Sequence, residues 1–100
     1  MSDRDKLFAT IDDMRDEIIE LTAEFVKIPN INPPGENYPK FTDLYAKRAR
    51  ELGLEVEIIE VHKERVEEMD YTLPRTNAVA TLEGRLGKPV LHMNGHFDVV

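Results

Sequence analysis

The chain has 100 residues, 41% of them hydrophobic, which supports one small domain with a thin core. Its 13 basic and 20 acidic side chains give a formal charge of −7, which argues against a nucleic-acid binder or a polybasic membrane anchor, since both need a basic face. There is no cysteine, which excludes a disulfide scaffold, a thiol nucleophile and every cysteine-based zinc site. Any metal must therefore be held by His, Asp or Glu.

The N-terminus, Met1-Ser2-Asp3-Arg4-Asp5-Lys6, carries both signs of charge and no apolar run follows it. No stretch approaches the roughly 18 apolar residues of a membrane span. Neither a signal peptide nor a transmembrane segment is expected, and the cytoplasm is the expected location.

Leu7, Ile11, Met14, Ile18, Leu21 and Phe25 recur at alternating steps of four and three. Phe8, Ile19, Thr22 and Val26 widen this stripe, so one amphipathic helix packed on a core is expected up to Pro29. Ser2 and Asp5 form a capping box at its start. Asp12, Asp13, Asp16, Glu17, Glu20 and Glu24 lie mostly off the stripe and read as a solvated face. Residues 28–37 are punctuated by Pro29, Pro33, Pro34 and Gly35, which predicts a stiff extended loop.

A second helix is expected to start near Pro39, with Phe41, Leu44, Tyr45, Arg48 and Leu52 on one side and Gly53 as its stop. Residues 54–61 alternate like a half-buried strand. The polar run from His62 to Arg75 predicts a surface connection with at most a helical turn. Thr76–Leu82 and Pro89–Met93 are the second and third expected strands, separated by a turn at residues 83–87. No βαβ crossover is present, so the pattern does not prove a parallel sheet. The final Val99-Val100 carries no stop signal, and the chain reads as one cut within a motif.

Chemistry concentrates in His92-Met93-Asn94-Gly95-His96-Phe97-Asp98. In an extended chain His92, Asn94, His96 and Asp98 share a face, at the end of a strand where open α/β sheets place ligands. Gly95 leaves room for something to approach the backbone. A carboxylate two residues after a histidine can accept the second imidazole N–H of a metal ligand and fix its tautomer. The ordinary alternative is a strand end with a hydrogen-bonded histidine and a capping aspartate. His92 and His96 have the spacing of a helical zinc pair, but Pro89, Asn94 and Gly95 disfavour a helix, so His92 reads as a structural residue. A mononuclear site of His92, His96 and Asp98 is a further alternative. His62 reads as solvated.

Taken together, Val90-Leu91-His92-Met93-Asn94-Gly95-His96-Phe97-Asp98-Val99-Val100 resembles the first metal-binding motif of the acetylornithine deacetylase / succinyl-diaminopimelate desuccinylase family, which includes aminoacylases, dipeptidases and glutamate carboxypeptidases. That motif is an apolar strand followed by Gly-His-x-Asp-Val-Val. The N-terminal helix and Phe25-Val26-Lys27-Ile28-Pro29-Asn30-Ile31-Asn32-Pro33-Pro34-Gly35-Glu36 also resemble the family's opening segment, as does Asn77-Ala78-Val79-Ala80 before a Gly-containing turn. The resemblance covers nearly the whole chain.

The resemblance implies an α/β fold. Residues 1–100 would be the N-terminal portion of a three-layer αβα catalytic domain with a mixed sheet, in the order helix-helix-strand-strand-strand, with no second domain. It implies a metal-dependent hydrolase of the amide bond of N-acyl amino acids or short peptides. His96 would be a ligand in a two-metal site, usually zinc, with cobalt or manganese as alternatives, and Asp98 would orient His96. The bridging Asp, the Glu general base and the remaining ligands of the family lie beyond these residues, so the chain alone is expected to be inactive. The full-length form could be a homodimer. The Pro33-Pro34-Gly35 loop resembles the deacetylase and desuccinylase branch more than the carboxypeptidases. A reading of another class is a non-catalytic module or fragment that self-associates or binds a partner, because its sheet edges would need cover.

Overall fold

A computed structural model describes residues 2–100. Helix α1 spans Asp3–Asp13 and α2 spans Arg15–Val26. The capping box forms: Ser2 Oγ accepts from the Asp5 N–H at 3.1 Å and Asp5 Oδ2 accepts from the Ser2 N–H at 3.3 Å. The single expected helix is divided at Met14, whose N–H is shared between the Thr10 and Ile11 carbonyls. Neither proline nor glycine marks this break, and the apolar period runs straight through it.

The stripe of this first helical arm does not pack on the core, contrary to expectation. Leu7, Phe8, Ile11, Ile18 and Ile19 are all exposed. The end of α2 makes tertiary contact, where Phe25 meets Phe41 with ring centroids 4.8 Å apart. Nearby, Arg48 grips Glu24 through two hydrogen bonds of 2.6 and 3.0 Å, so Glu24 is more than part of a solvated face. The Arg48 guanidinium holds its carboxyl below the usual range. The projecting arm makes the molecule long, with extents of 55 × 31 × 21 Å.

Helix α3 spans Tyr38–Glu51, with Pro39 in its first turn as expected. Asn37 enters it with a left-handed φ of 59°, and its side-chain amide donates to the Pro29 carbonyl at 2.7 Å. Gly53, at φ 87°, ends it. The Gly53 and Leu54 N–H groups return to the Arg50 and Ala49 carbonyls, both at 3.0 Å, in a Schellman arrangement. The fully buried face is Tyr38, Thr42, Ala46 and Ala49, not the larger residues the periodicity selects. Small side chains there let α3 lie close on the sheet, and Leu52 is left exposed.

Strands β1 (Glu55–Glu60) and β2 (Thr76–Thr81) pair antiparallel, with Glu55 opposite Thr81 and Glu60 opposite Thr76. The connection between them contains a short helix, α4 (Lys63–Glu68), which buries Val66. The third expected strand does not form. Residues 82–98 pair with no strand, and Val90, Leu91 and Met93 are more than 80% exposed. An apolar run records a capacity for burial but does not by itself bring the segment to either edge of the β1–β2 pair, and Pro89 has no N–H to give a ladder. The architecture is thus mixed helix and sheet, with one antiparallel pair where three strands were expected. Among the described residues no helix is long and apolar enough to cross a membrane.

A buried hydroxyl pair joins α3 to β2. Thr42 Oγ1 lies 2.9 Å from Thr76 Oγ1 and 3.1 Å from the Tyr38 carbonyl. Thr42 can donate to the carbonyl and accept from Thr76. Thr42→Val keeps the shape but strands the Thr76 hydroxyl, at a cost of about 1–3 kcal/mol. Urea denaturation is expected to show that loss, with Thr42→Ser closer to wild type.

Candidate functional site

The site forms where the C-terminal segment docks on the proline-rich loop. The Asn32 N–H donates to the Val99 carbonyl at 2.7 Å and the Val99 N–H donates to the Asn30 carbonyl at 3.2 Å, making a single parallel bridge between Ile31 and Val99. The two segments that carry the family resemblance are therefore in direct contact. Phe97 anchors the docked segment by stacking on Phe41 at 4.1 Å and 8° and meeting Tyr38 edge-on at 5.1 Å and 82°.

His96 and Asp98 lie together, as their spacing predicts. His96 Nδ1 is 3.0 Å from Asp98 Oδ1 and 3.1 Å from the Asp98 main-chain carbonyl oxygen. The other carboxylate oxygen, Oδ2, accepts a 2.5 Å hydrogen bond from the Tyr38 hydroxyl. That bond, with a further contribution from His96, holds the Asp98 carboxyl below its usual range against the opposing effect of burial. Burial first, and then Asp98, push the Tyr38 phenol up to about 12.

Behind Tyr38 stands Arg75. Its Nη1 donates to the Tyr38 oxygen at 3.4 Å, and its Nη2 donates to Asn32 Oδ1 at 3.1 Å and the Pro34 carbonyl at 3.0 Å. The guanidinium also lies 3.8 Å from the centroid of the Tyr71 ring, a cation–π contact. Gly35 makes this packing possible: its φ is 90°, and a Cβ there would stand 2.8 Å from Arg75 Nη2. Tyr38, Tyr71 and Arg75 were not expected as site residues. Arg75 closes a polar run in which nothing local separates it from Arg65, and only the tertiary fold brings it to the loop.

The wider polar face does not assemble. His92 and Asn94 stay exposed, and among the described residues no three His, Cys, Asp or Glu side chains form a group able to hold a metal ion. His92 is thus not drawn together with His96 and Asp98 into such a group. At Gly95 no other part of the chain comes near, and a Cβ there would meet open space.

The donor set fits one ligand and its support. Both atoms facing His96 Nδ1 are acceptors, so in the neutral ring Nδ1 carries the proton and Nε2 keeps its lone pair. The His96 side chain is 86% exposed, so that lone pair is accessible, whereas Asp98 is 28% exposed. A neutral imidazole supported by a carboxylate is the form in which histidine binds a divalent cation. No family model, curated protein or solved structure matches the chain, so the functional reading rests on these residues and on the resemblance they carry.

Proposed function

We propose that the chain is the N-terminal part of a metal-dependent hydrolase acting on the amide bond of N-acyl amino acids or short peptides, of the acetylornithine deacetylase / succinyl-diaminopimelate desuccinylase type, and that His96 is its first metal ligand. The reading includes a three-layer αβα catalytic domain completed by further chain, a cytoplasmic location and possible dimerisation of the whole protein. The observation that carries it is the His96–Asp98 pair, with Nδ1 held by the carboxylate and Nε2 exposed.

His96 Nε2 would hold one divalent ion, zinc by preference and cobalt or manganese as alternatives. Such an ion supplies Lewis acidity that polarises an amide oxygen and acidifies bound water. Asp98 keeps the proton on Nδ1 and so keeps the lone pair on Nε2. It is a poor candidate for general base, because both carboxylate oxygens already accept hydrogen bonds. That proton transfer, and the further ligands a catalytic ion needs, fall to residues outside this chain.

A second reading, a non-catalytic module that self-associates or binds a partner, draws on the exposed apolar stripe of α1 and α2 and on the two edges of the β1–β2 pair. One experiment separates the two. The protein is purified at natural length from its source, its metal content is measured by elemental mass spectrometry, and it is assayed on a panel of N-acyl amino acids beside His96→Ala. The expected result is bound metal and hydrolysis, both lost in the variant by more than the about 10–100-fold that an outer-shell partner is worth. Metal content and hydrolysis unchanged by His96→Ala would overturn the hydrolase reading. A metal-free natural product of 100 residues that sediments as a dimer or larger would favour the second.

A further inference from the structure

We infer that Tyr38 is a positioning residue for His96, acting through Asp98: its hydroxyl pins one carboxylate oxygen so that the other holds the imidazole as the Nδ1–H tautomer, with Nε2 as the free lone pair. The purpose of this arrangement rests on the proposed metal-ligand role of His96, but the tautomer does not.

The directions of the hydrogen bonds follow from the chemistry of each group. A guanidinium can only donate, so Arg75 Nη1, 3.4 Å from the Tyr38 oxygen, occupies a lone pair of that oxygen. The phenolic proton is left to point at Asp98 Oδ2, 2.5 Å away. Asp98 then has one oxygen committed to Tyr38 and the other, 3.0 Å from Nδ1, available to His96. Neither the carboxylate nor the Asp98 carbonyl has a proton to give, so the proton between Asp98 and the ring belongs to Nδ1.

Order in this chain of contacts runs from inside to outside. Tyr38 is 6% exposed at the start of α3, held edge-on by Phe97 and from behind by Arg75. Arg75 is itself fixed by Asn32, Pro34 and Tyr71. The His96 ring, in contrast, is 86% exposed and takes its orientation from Asp98. The terminal torsion of an aspartate is broad and weakly restricted by itself. Without the Tyr38 hydroxyl, Oδ2 has no fixed partner, the carboxylate turns, and the exposed imidazole loses its guide. The proline-rich loop thereby reaches the histidine through Arg75, Tyr38 and Asp98, which gives the loop a role in the site that its sequence does not advertise.

The test uses the 100-residue chain and needs no metal. Long-range proton–nitrogen NMR spectra of the three imidazoles are recorded at about pH 8.5, some two units above the ordinary histidine pKa of about 6.5. His62 and His92, both exposed, serve as references for a solvated ring in the same sample. In the wild type His96 is expected to show a protonated Nδ1 and a bare Nε2, distinct from the mixed pattern of the references. In Tyr38→Phe, which removes only the hydroxyl, the His96 nitrogen shifts are expected to move at least halfway toward the references. Asp98→Ala marks the fully released state, and the Phe97 ring signals report that the segment stays docked.

A wild-type His96 with the mixed pattern overturns the inference, as does a docked Tyr38→Phe whose tautomer is unchanged. A measurement on the wild type covers a variant that fails to dock. The Tyr38 hydroxyl proton is expected far downfield and slow to exchange, with an Overhauser contact to the Tyr38 ring, and its absence also overturns the inference. Zinc uptake by the natural-length protein is read separately. A fixed tautomer without zinc defeats the metal reading alone, and zinc binding with a tautomer indifferent to Tyr38→Phe defeats only the role of Tyr38.

Discussion

Phe97→Ala is expected to release the C-terminal segment from the loop. Phe97 makes two ring contacts, with Phe41 and Tyr38, and aromatic pairs contribute about 0.5–1.5 kcal/mol each beyond the area they bury. Without them the segment keeps the Tyr38–Asp98 bond and two backbone bonds to Asn30 and Asn32. Such bonds are worth about 1 kcal/mol net apiece, rather more for a charged acceptor, whereas ordering each residue costs about 1–2 kcal/mol in backbone entropy. For a stretch the length of residues 96–100 the remaining bonds do not cover that cost. The clearest reporter is Tyr38. Its phenol stands at about 12 in place of the ordinary 10.0 because the docked segment helps bury it and Asp98 accepts its proton. A raised pKa means that the contribution of neutral Tyr38 to docking is complete below pH 10 and is lost as the pH rises through about 12. The phenolate absorbance titration of Phe97→Ala should lose the late component near 12 and gain one closer to 10. A late component unchanged in the variant would mean that Phe97 does not anchor the segment.

Local signals in the sequence translated well into local structure. Ser2 and Asp5 cap α1, Pro39 sits in the first turn of α3, Gly53 closes it, and the alternation of residues 55–60 becomes β1. Each of these depends on neighbours within a few residues. What depends on distant surfaces was not legible. The stripe from Leu7 to Ile19 has the period of a packed helix and yet is exposed, because periodicity states which face could be buried and not what arrives to bury it. The same holds for Val90, Leu91 and Met93, which have the composition of a strand but join neither edge of the β1–β2 pair. On α3 the burial follows Thr42, Ala46 and Ala49, since close approach to the sheet favours small residues over the large ones a hydrophobicity pattern selects. The site divides along the same line. His96 and Asp98 are two residues apart, and an extended backbone puts them side by side. Tyr38 lies 60 positions before Asp98, and Arg75 reaches Asn32 across 43 positions, so neither is recoverable from spacing.

Asp98→Asn is the substitution with the largest expected effect on the proposed metal site short of removing His96. An amide offers one acceptor and one donor where the carboxylate offers two acceptors. With its oxygen toward His96, its NH2 faces a Tyr38 hydroxyl that already receives Arg75, and the phenolic proton loses its acceptor. With its NH2 toward His96, Nδ1 must become the acceptor and the proton moves to Nε2, the nitrogen proposed to bind the ion. Either orientation breaks one link, and in the natural-length protein the affinity for zinc is expected to fall by about 10–100-fold, the usual worth of a carboxylate behind a metal-bound histidine. Acid offers an independent check on the 100-residue chain. The Asp98 carboxyl is held below its ordinary 3.8, chiefly by Tyr38, so its contribution to docking is present above that value and is lost as the pH falls beneath it. The Phe97 ring signals of the wild type should therefore show undocking below about pH 4. In Asp98→Asn that acid-linked step should be missing, since the amide does not titrate there. Zinc affinity equal to wild type in a competition titration would show that Asp98 does not orient the ligand. An acid step retained in the variant would assign the pH dependence to other carboxylates.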